Sequence, residues 1–288
     1  AGSSWNVAEP FFPKERLIIL GGGHVALPVA EFGARVGFLV TVVDDRLSFA
    51  NPGRFPMAEK VICDDFGHAI KELKIQESDY ICIVTRGHRH DADCLRMIGK
   101  GKEPAYLGMI GSRRRVGIVK QELLEEGYDP ERMSRLKSPI GLKIGGVTPE
   151  EIAISILAEI IQVKRMDRED KRVKNRSDLD FDVLKRLAEE PDEPKAVVTV
   201  IESKGSSPRG AGAKMIVYRD GRILGSIGGG CSEAAVLGEA RSLIGSGRYK
   251  VVHVDLTGEA AEDEGMVCGG IMDVLVEDFV TDREPGDR

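Results

Sequence analysis

The chain has 288 residues, of which 42% are hydrophobic, and its formal net charge is −6 at pH 7. This length is typical of two domains, and the acidic balance argues against nucleic acid as the main partner. No apolar run approaches the ~20 residues of a membrane-spanning helix. The first residues lack the charged start and apolar core of a secretory signal. We therefore expect a cytoplasmic protein without a membrane partner.

The five cysteines are odd in number and form no C-x-x-C pair. A disulfide framework and a four-cysteine zinc site are therefore not expected. Cys63 and Cys82 lie in apolar, strand-like runs, which predicts that both are inert core residues.

A glycine motif opens the first half of the chain. An apolar run at residues 16–20 leads into G-x-G-x-x-A, from Gly21 through Gly23 and His24 to Ala26, and then into a helical segment, a second strand and Asp44. This order is typical of a βαβ unit in which the glycines admit a pyrophosphate and the acid binds ribose hydroxyls. The acid favours an NAD-like ligand over NADP. The alternative is a Rossmann-type fold whose nucleotide site is empty or serves another purpose.

Strands and helical segments keep alternating to about residue 110, which predicts a doubly wound parallel sheet with ligands beyond the carboxyl ends of its strands. One loop at those ends is Thr85-Arg86-Gly87-His88-Arg89-His90-Asp91. Its histidines and aspartate could bind a metal, or the loop could form a polar rim that contacts a ligand or the other domain.

A second loop at the same ends is Gly111-Ser112-Arg113-Arg114-Arg115. Ser112 can cap a helix that starts near Arg113, and the arginines could clamp a phosphate. The alternative is a solvated basic first turn.

The boundary between the two halves follows a strong helix signal. Thr148-Pro149-Glu150-Glu151 is a capping box with proline at the first helical position. The helix that it opens runs into an almost wholly polar stretch, residues 164–178. We predict a Rossmann-like domain at 14–166 and a smaller α/β (α+β) domain at 177–280.

The second half contains two cysteines embedded in glycines. Gly228, Gly229 and Gly230 precede Cys231 and a helical segment, and Cys268 lies in a further glycine-flanked stretch. A glycine turn at a helix start can bind an anion, and a thiol there has a lowered pKa. The alternative is a tight turn beside a buried structural cysteine. Between the strands before this turn, Asp220-Gly221 predicts a hairpin.

Several long blocks resemble one family. GSSPRGAGAKMIV, GSIGGGCSEAAV and GMVCGG resemble the signature blocks of the XdhC/CoxI family, accessory proteins of xanthine dehydrogenase and related molybdenum hydroxylases. ILGGGHVA, VVDDR, TRGHRHD, YLGMIGSRRR and SPIGLKIGGVTPEEIAISILAEI resemble the Rossmann half of that family. The resemblance covers roughly residues 14–165 and 195–280. The family pattern places the cysteine-bearing domain first, whereas the order here is reversed, so the family's linker path and dimer geometry are not carried over.

The resemblance implies a cofactor-insertion chaperone rather than a turnover enzyme. Such a chaperone binds the molybdenum cofactor, assists its sulfuration by a cysteine desulfurase, and delivers it to an apo-hydroxylase of the xanthine dehydrogenase type. Cys231 is the residue that we expect to bind the molybdenum. The residues that we expect to contact the cofactor or a nucleotide are Gly21, Gly23, His24, Asp44, Arg86, Ser112, Arg113, Gly228, Gly229, Gly230, Cys231 and Cys268.

Two other functions remain open from the sequence. The glycine motif and Asp44 would also suit an NAD-dependent oxidoreductase, although the second half shows neither Tyr-x-x-x-Lys nor a His–Asp pair in a dehydrogenase context. A nucleotide-binding regulatory module is the other alternative. We expect a homodimer, because symmetric dimers are the commonest assembly.

Overall fold

A computed structural model of the chain describes residues 13–166, 178–205, 207, 209–255 and 270–279, without the side chains of His88 and Cys231. The chain divides into two compact units, with the division between Arg176 and Ser177; the limits 14–166 and 177–280 stay a prediction. Within the described ranges, no helix has both the length and the apolar character needed to cross a membrane.

The first unit alternates strands and helices. Its elements are β1 (Arg16–Leu20), α1 (Ala26–Arg35), β2 (Leu39–Asp44), β3 (Lys60–Cys63), α2 (Phe66–Leu73), β4 (Tyr80–Ile83), α3 (His88–Gly99), β5 (Tyr106–Met109), α4 (Arg113–Glu125), α5 (Pro130–Arg135) and α6 (Pro149–Met166). The five strands are parallel and lie in the order β3-β2-β1-β4-β5. The order reverses between β1 and β4, which is where such sheets open a ligand crevice.

Both faces of this sheet are buried, which explains the continuous apolar runs of the strands. Leu17 and Ile19 of β1 pack into a cluster with residues of α1 and α6. Ile18 and Leu20 face the other way, into a cluster with residues of α2, α3 and α4. The predicted fold class, a Rossmann-like doubly wound sheet with a second, smaller domain, is confirmed.

The helix starts expected from the sequence form as predicted. Ser112 Oγ accepts a hydrogen bond from the N–H of Arg115 (3.3 Å) and caps α4. At the start of α6, the N–H of Glu151 donates to Thr148 Oγ1 (3.3 Å), and Glu151 accepts from the N–H of Thr148 (3.0 Å). The second contact is the reciprocal half of a capping box.

The two cysteines predicted to be core residues differ in their exposure to solvent. Cys82, in the interior strand β4, is buried, and burial raises the pKa of its thiol, so it is inert. The prediction for Cys63 is wrong, because this residue is exposed. It ends β3, an edge strand that has no fully buried residue. An apolar run in an edge strand is not covered on both sides, so its pattern overstates burial.

The described part of the second unit is an antiparallel sheet with two helices. Its elements are α7 (Phe181–Glu189), β6 (Lys195–Gly205), β7 (Lys214–Tyr218), β8 (Ile223–Gly225), α8 (Gly230–Leu243), β9 (Tyr249–Asp255) and β10 (Gly270–Phe279). The strand order is β8-β7-β6-β10-β9. The predicted hairpin at Gly221, with φ +91°, joins β7 to β8.

Helix α8 covers one face of this sheet. Val236 and Ala240 of α8 are fully buried against alternate residues of β6, β7 and β10. On the other face, Val183 of α7 packs on Ile216 and Tyr218 of β7. The glycine turn before α8 is thereby held at the edge of a packed core.

Candidate functional site

The glycine loop of the first unit follows β1 directly. Gly21 has φ +110°, and a Cβ there would lie 2.5 Å from the carbonyl oxygen of Val84. A Cβ on Gly22 would lie 2.5 Å from the carbonyl oxygen of Phe49, whereas a Cβ on Gly23 would have nothing within 4 Å. The first two glycines are therefore required by the protein's own backbone, and only Gly23 borders open space.

The start of α1 lacks a side-chain cap. Val25 is its N-cap residue, no side chain bonds the first turn, and no acidic residue lies in that turn. Such a helix start carries the positive end of the helix dipole. His24 is exposed beside it. Phosphate binding at this loop, which the motif predicts, stays a prediction.

Asp44, at the end of β2, is already saturated with hydrogen bonds. Its side chain is 2% exposed. Oδ2 accepts from the N–H of Gly22 (2.8 Å) and Nη2 of Arg46 (3.0 Å), and Oδ1 accepts from the N–H (3.1 Å) and Nε (2.8 Å) of Arg46. Burial alone would raise the pKa of Asp44, but the bonds from Arg46 and Gly22 outweigh burial and leave the pKa lowered. Binding of ribose hydroxyls by Asp44 stays a prediction.

The neighbouring Asp45 is 30% exposed and pairs with Arg86. Nη1 and Nη2 of Arg86 donate to the two carboxylate oxygens, at 2.6 and 2.9 Å. The pair raises the pKa of Arg86 above its ordinary value. Arg86 follows β4 and Asp45 follows β2, so the pair connects the ends of two strands that flank β1.

The polar loop after β4 contains a buried carboxylate that is paired within the protein. Asp91 is fully buried, accepts a hydrogen bond from Thr85 Oγ1 (2.5 Å) and pairs with Arg115 of α4. Burial raises the pKa of Asp91, and the bonds from Thr85 and Arg115 offset this only in part. The His90 ring packs on Phe66, with ring centroids 5.5 Å apart. Among the described side chains, no cluster of three histidine, cysteine or acidic residues could hold a metal.

The three arginines after β5 have different environments. Arg115 is engaged by Asp91, whereas Arg113 and Arg114 are exposed at the first turn of α4. A role for Ser112 and Arg113 in phosphate binding stays a prediction, with Ser112 also serving as the helix cap.

The glycine turn of the second unit leads into α8. Gly228, Gly229 and Gly230 have φ values of +136°, +72° and +53°, a run that favours glycine. Gly229 is the N-cap residue, so Cys231 is the second residue of the helix. The side chain of Cys231, and all of Cys268, lie outside the described residues.

A carboxylate of the chain itself bonds the N-cap residue of this helix. Glu233 Oε1 accepts hydrogen bonds from the N–H of Gly229 (2.9 Å) and from Ser226 Oγ (2.7 Å). Ser226 Oγ in turn accepts from the N–H of Gly228 (3.1 Å). The turn is therefore fixed by two side chains, one before it and one after it.

An ion pair between Arg209 and Asp178 supports the loop before β7. Arg209 Nε donates to Asp178 Oδ2 (2.6 Å), and the same oxygen accepts from the N–H of Gly210 (3.2 Å). Asp178 precedes α7 by three positions, so this contact ties the Arg209 loop to the beginning of the described second unit.

Comparison with known proteins identifies the family. Residues 17–160 match the family described as the XdhC Rossmann domain, and residues 188–255 match the XdhC and CoxI family. The chain belongs to the XdhC and CoxI family. The two matches follow one another in the order that the motifs indicate, with the Rossmann part first.

Three curated relatives match parts of this XdhC/CoxI chain. It is 37% identical to the uncharacterized protein YqeB of Escherichia coli K12 over 152 residues, which are 52% of this chain and 28% of YqeB. It is 34% identical to a probable xanthine dehydrogenase subunit of Bacillus subtilis 168 over 153 residues, 53% of this chain and 44% of that protein. It is 40% identical to the molybdenum cofactor insertion chaperone PaoD of Escherichia coli K12 over 74 residues, which are 26% of this chain and 23% of PaoD. The chain thus spans less than half the length of each relative.

One solved structure also matches about half of the chain. The crystal structure of a xanthine dehydrogenase from Bacillus halodurans aligns with a TM-score of 0.49 at 35% identity, over 57% of this chain and 46% of that one.

Sequence reasoning missed three side chains of these sites in the XdhC/CoxI chain. Arg54 donates to the carbonyl oxygens of Gly22 (3.2 Å) and Gly23 (3.3 Å) and so holds the glycine loop. Arg46 donates hydrogen bonds to the carboxylate of Asp44, and Glu233 accepts one from the N–H of Gly229 at the start of α8. Arg54 is remote in sequence from the loop, and nothing local indicates it. Glu233, four residues after Gly229, was accessible from helix-capping rules.

We expect Glu233→Ala to destabilise the second unit by about 1–2 kcal/mol, because it leaves the N–H of the N-cap residue Gly229 and the hydroxyl of Ser226 without their acceptor. Glu233→Gln keeps an acceptor oxygen and should cost less than half of that. Urea unfolding followed by circular dichroism measures both. Glu239→Ala on the same helix removes only a half-exposed pair with Lys250 and should cost no more than about 0.5 kcal/mol. Equal losses for Glu233→Ala and Glu239→Ala would contradict this role of Glu233.

Proposed function

We propose that this chain is an accessory protein that binds the molybdenum cofactor and assists its sulfuration and insertion into a hydroxylase of the xanthine dehydrogenase type. The support is membership of the XdhC and CoxI family, together with relatives named as a molybdenum cofactor insertion chaperone and as a probable xanthine dehydrogenase subunit. The cofactor is then a cargo, and the partners are a cysteine desulfurase and the apo-hydroxylase.

The observation that carries the proposal is the position of Cys231. It is the second residue of α8 and comes directly after three glycines with positive φ. Because glycines have no side chains, a bulky ligand can approach the backbone there. A thiol at the start of a helix ionises more readily in general, and the thiolate is the form of cysteine that binds metals. We assign Cys231 to the molybdenum of the cargo, with Cys268 as a second thiol of the same site.

Glu233 limits where the anionic end of the cargo can lie. Its carboxylate takes the N–H of Gly229, and a second anion against that group would be repelled. We therefore assign the anionic end of the cargo to the first-turn N–H groups that follow, beginning with Gly230. A cofactor bound in this way would meet the thiol at the same helix start.

We expect Cys231→Ala to lower retention of molybdenum cofactor by about tenfold or more, equivalent to about 1.4 kcal/mol or more of binding free energy. The variant is produced in a host that makes the cofactor, and the ligand released from the purified protein is quantified by mass spectrometry. Cys63→Ala is the matched control, because it removes an exposed thiol from the other unit and should retain the cofactor fully. Equal retention by the two variants would reject Cys231 as the ligand.

The proposed role in sulfuration is tested separately, by looking for a persulfide on the cysteines of the second unit. After incubation of the wild-type protein with a cysteine desulfurase and cysteine, we expect a persulfide on Cys231 or Cys268, detected by peptide mass spectrometry. Absence of a persulfide, with normal cofactor retention, would reduce the proposal to binding and delivery. Sedimentation measures the homodimer that we propose as the assembly.

The glycine loop supports a second role, the binding of NAD or a similar nucleotide by the first unit. The uncapped start of α1 and the open space beside Gly23 favour it. An NAD-dependent oxidoreductase would in addition turn over a substrate. An assay for NAD reduction or NADH oxidation with candidate hydroxyl and carbonyl substrates separates that activity from a nucleotide-binding regulatory role.

A further inference from the structure

The two aspartates at the end of β2 have opposite environments. A carboxylate offers about four lone-pair positions for hydrogen bonds, and Asp44 uses four, all with donors of the protein itself. Asp45 is 30% exposed and accepts two hydrogen bonds, both from the half-exposed Arg86. A ligand hydroxyl can therefore reach Asp45 without breaking buried contacts, whereas at Asp44 it would have to displace the Gly22 N–H or Arg46.

The partner of Asp45 lies across the ligand crevice. Strand β1 pairs with β2 on one side and with β4 on the other. Asp45 follows β2 and Arg86 lies three residues after β4, so their ion pair spans the carboxyl end of β1, where the glycine loop begins. This is also where the strand order reverses, the usual position of a nucleotide in such a sheet.

The Asp45–Arg86 pair is weak enough to exchange. The pair is bidentate, but its side chains are 30% and 42% exposed, so solvent screens it and a ligand can compete for either partner. Arg46 Nε also lies 3.8 Å from Asp45 Oδ1, so Asp45 retains a cationic neighbour after Arg86 leaves. A freed guanidinium at the end of β4 would lie close to the phosphates of a nucleotide at the glycine loop.

We propose that Asp45, not Asp44, accepts the ribose hydroxyls of a ribonucleoside diphosphate bound at the glycine loop, and that the ribose replaces Arg86 as the partner of Asp45. Asp44 instead holds the loop through Gly22. The inference rests on the proposed nucleotide binding by the first unit and does not depend on Cys231. A free dinucleotide and the nucleotide half of a pterin dinucleotide both carry a ribonucleoside diphosphate.

The test is the discrimination between ribose and deoxyribose, measured by calorimetric titration with ADP and 2′-deoxy-ADP, and likewise with CDP and GDP and their 2′-deoxy forms. In the wild-type protein we expect the ribonucleotide to bind about tenfold more tightly than its deoxy form, as for a hydrogen bond to a charged group. Asp45→Ala should abolish this ratio and leave the affinity for the deoxy form unchanged. Asp44→Asn is the matched control and should keep the ratio, with circular dichroism verifying that both variants are folded.

The outcomes separate this inference from the rest. A ratio that persists in Asp45→Ala, or one that is lost in Asp44→Asn but not in Asp45→Ala, overturns the assignment. Failure of all three diphosphates to bind the wild-type protein at millimolar concentration overturns nucleotide binding and this inference together, and leaves cofactor retention by Cys231 to its own test. When the ratio behaves as expected, tightest binding of ADP indicates an adenine dinucleotide, and tightest binding of CDP or GDP indicates the nucleotide of a pterin dinucleotide.

Discussion

Gly21→Ala should destabilise the first unit by about 3–5 kcal/mol, the sum of backbone strain and overpacking. Gly21 has φ +110°, which a side chain rarely adopts, and an added Cβ would lie 2.5 Å from the carbonyl oxygen of Val84 and 2.8 Å from its carbonyl carbon. Both are backbone atoms between β4 and its polar loop, so neither can move without shifting the strand. Urea unfolding combined with hydrogen exchange of the β1 and β4 amides measures the loss in this unit alone.

Gly23→Ala is the matched control for the same loop. A Cβ on Gly23 would meet nothing within 4 Å, so we expect the free energy of unfolding to change by no more than about 0.5 kcal/mol. Its effect should instead fall on ligand binding, because the added methyl group stands where a pyrophosphate would approach the backbone. A large loss of stability in Gly23→Ala, or none in Gly21→Ala, would contradict the geometry of the loop.

Asp44→Ala should lower the free energy of unfolding of the first unit by about 3 kcal/mol. The change leaves the Gly22 N–H without its acceptor and removes the partner of Arg46. For a unit of this size, that is a fall in Tm of about 6–12 °C, measured by scanning calorimetry. Asp45→Ala removes only the exposed pair with Arg86 and should cost at most about 1 kcal/mol. Equal losses of unfolding free energy in the two variants would show that the buried bonds of Asp44 stabilise the unit no more than the exposed pair of Asp45 does.

The buried carboxylate of Asp44 should also make the stability of the first unit depend on pH. The pKa of Asp44 is lower in the folded protein than its ordinary value of 3.8. The folded state therefore favours the ionised carboxylate, and its contribution to stability is present above the unfolded pKa and disappears as the pH falls through the folded pKa. We expect the stability difference between wild type and Asp44→Asn to be constant near neutral pH and to shrink below about pH 4. A difference that grows on acidification would mean that the sign of the shift is wrong.

Much of the fold was predictable because it depends on local patterns. Runs of apolar residues identify the buried parallel strands, since both faces of that sheet are covered by helices. The Thr148–Glu151 capping box and the Gly221 hairpin form where the sequence places them, because their hydrogen bonds join residues only a few positions apart. The family motifs are local in the same sense, and family membership followed from them.

The candidate sites were predictable in position but not in detail. The motif places Asp44 near the glycine loop, and the structure does bring the two together, yet Arg46 and Gly22 consume its hydrogen-bonding capacity. The pairing of Asp45 with Arg86 joins residues 41 positions apart. Cys63 was expected in the core, and its exposure depends on the place of β3 in the strand order.

The sequence by itself determined the family, the parallel sheet, the hairpin, the glycine turns and the position of Cys231 at the start of a helix. These features are set by backbone preferences and by side-chain periodicity, which act over a few residues. Only the tertiary structure decided which charged groups remain accessible: Asp44 is satisfied inside the protein by Gly22 and Arg46, whereas Asp45 is 30% exposed and pairs with Arg86. Hydrogen-bond capacity is finite, and which donors reach a given carboxylate depends on strands and helices that meet only after the chain has folded.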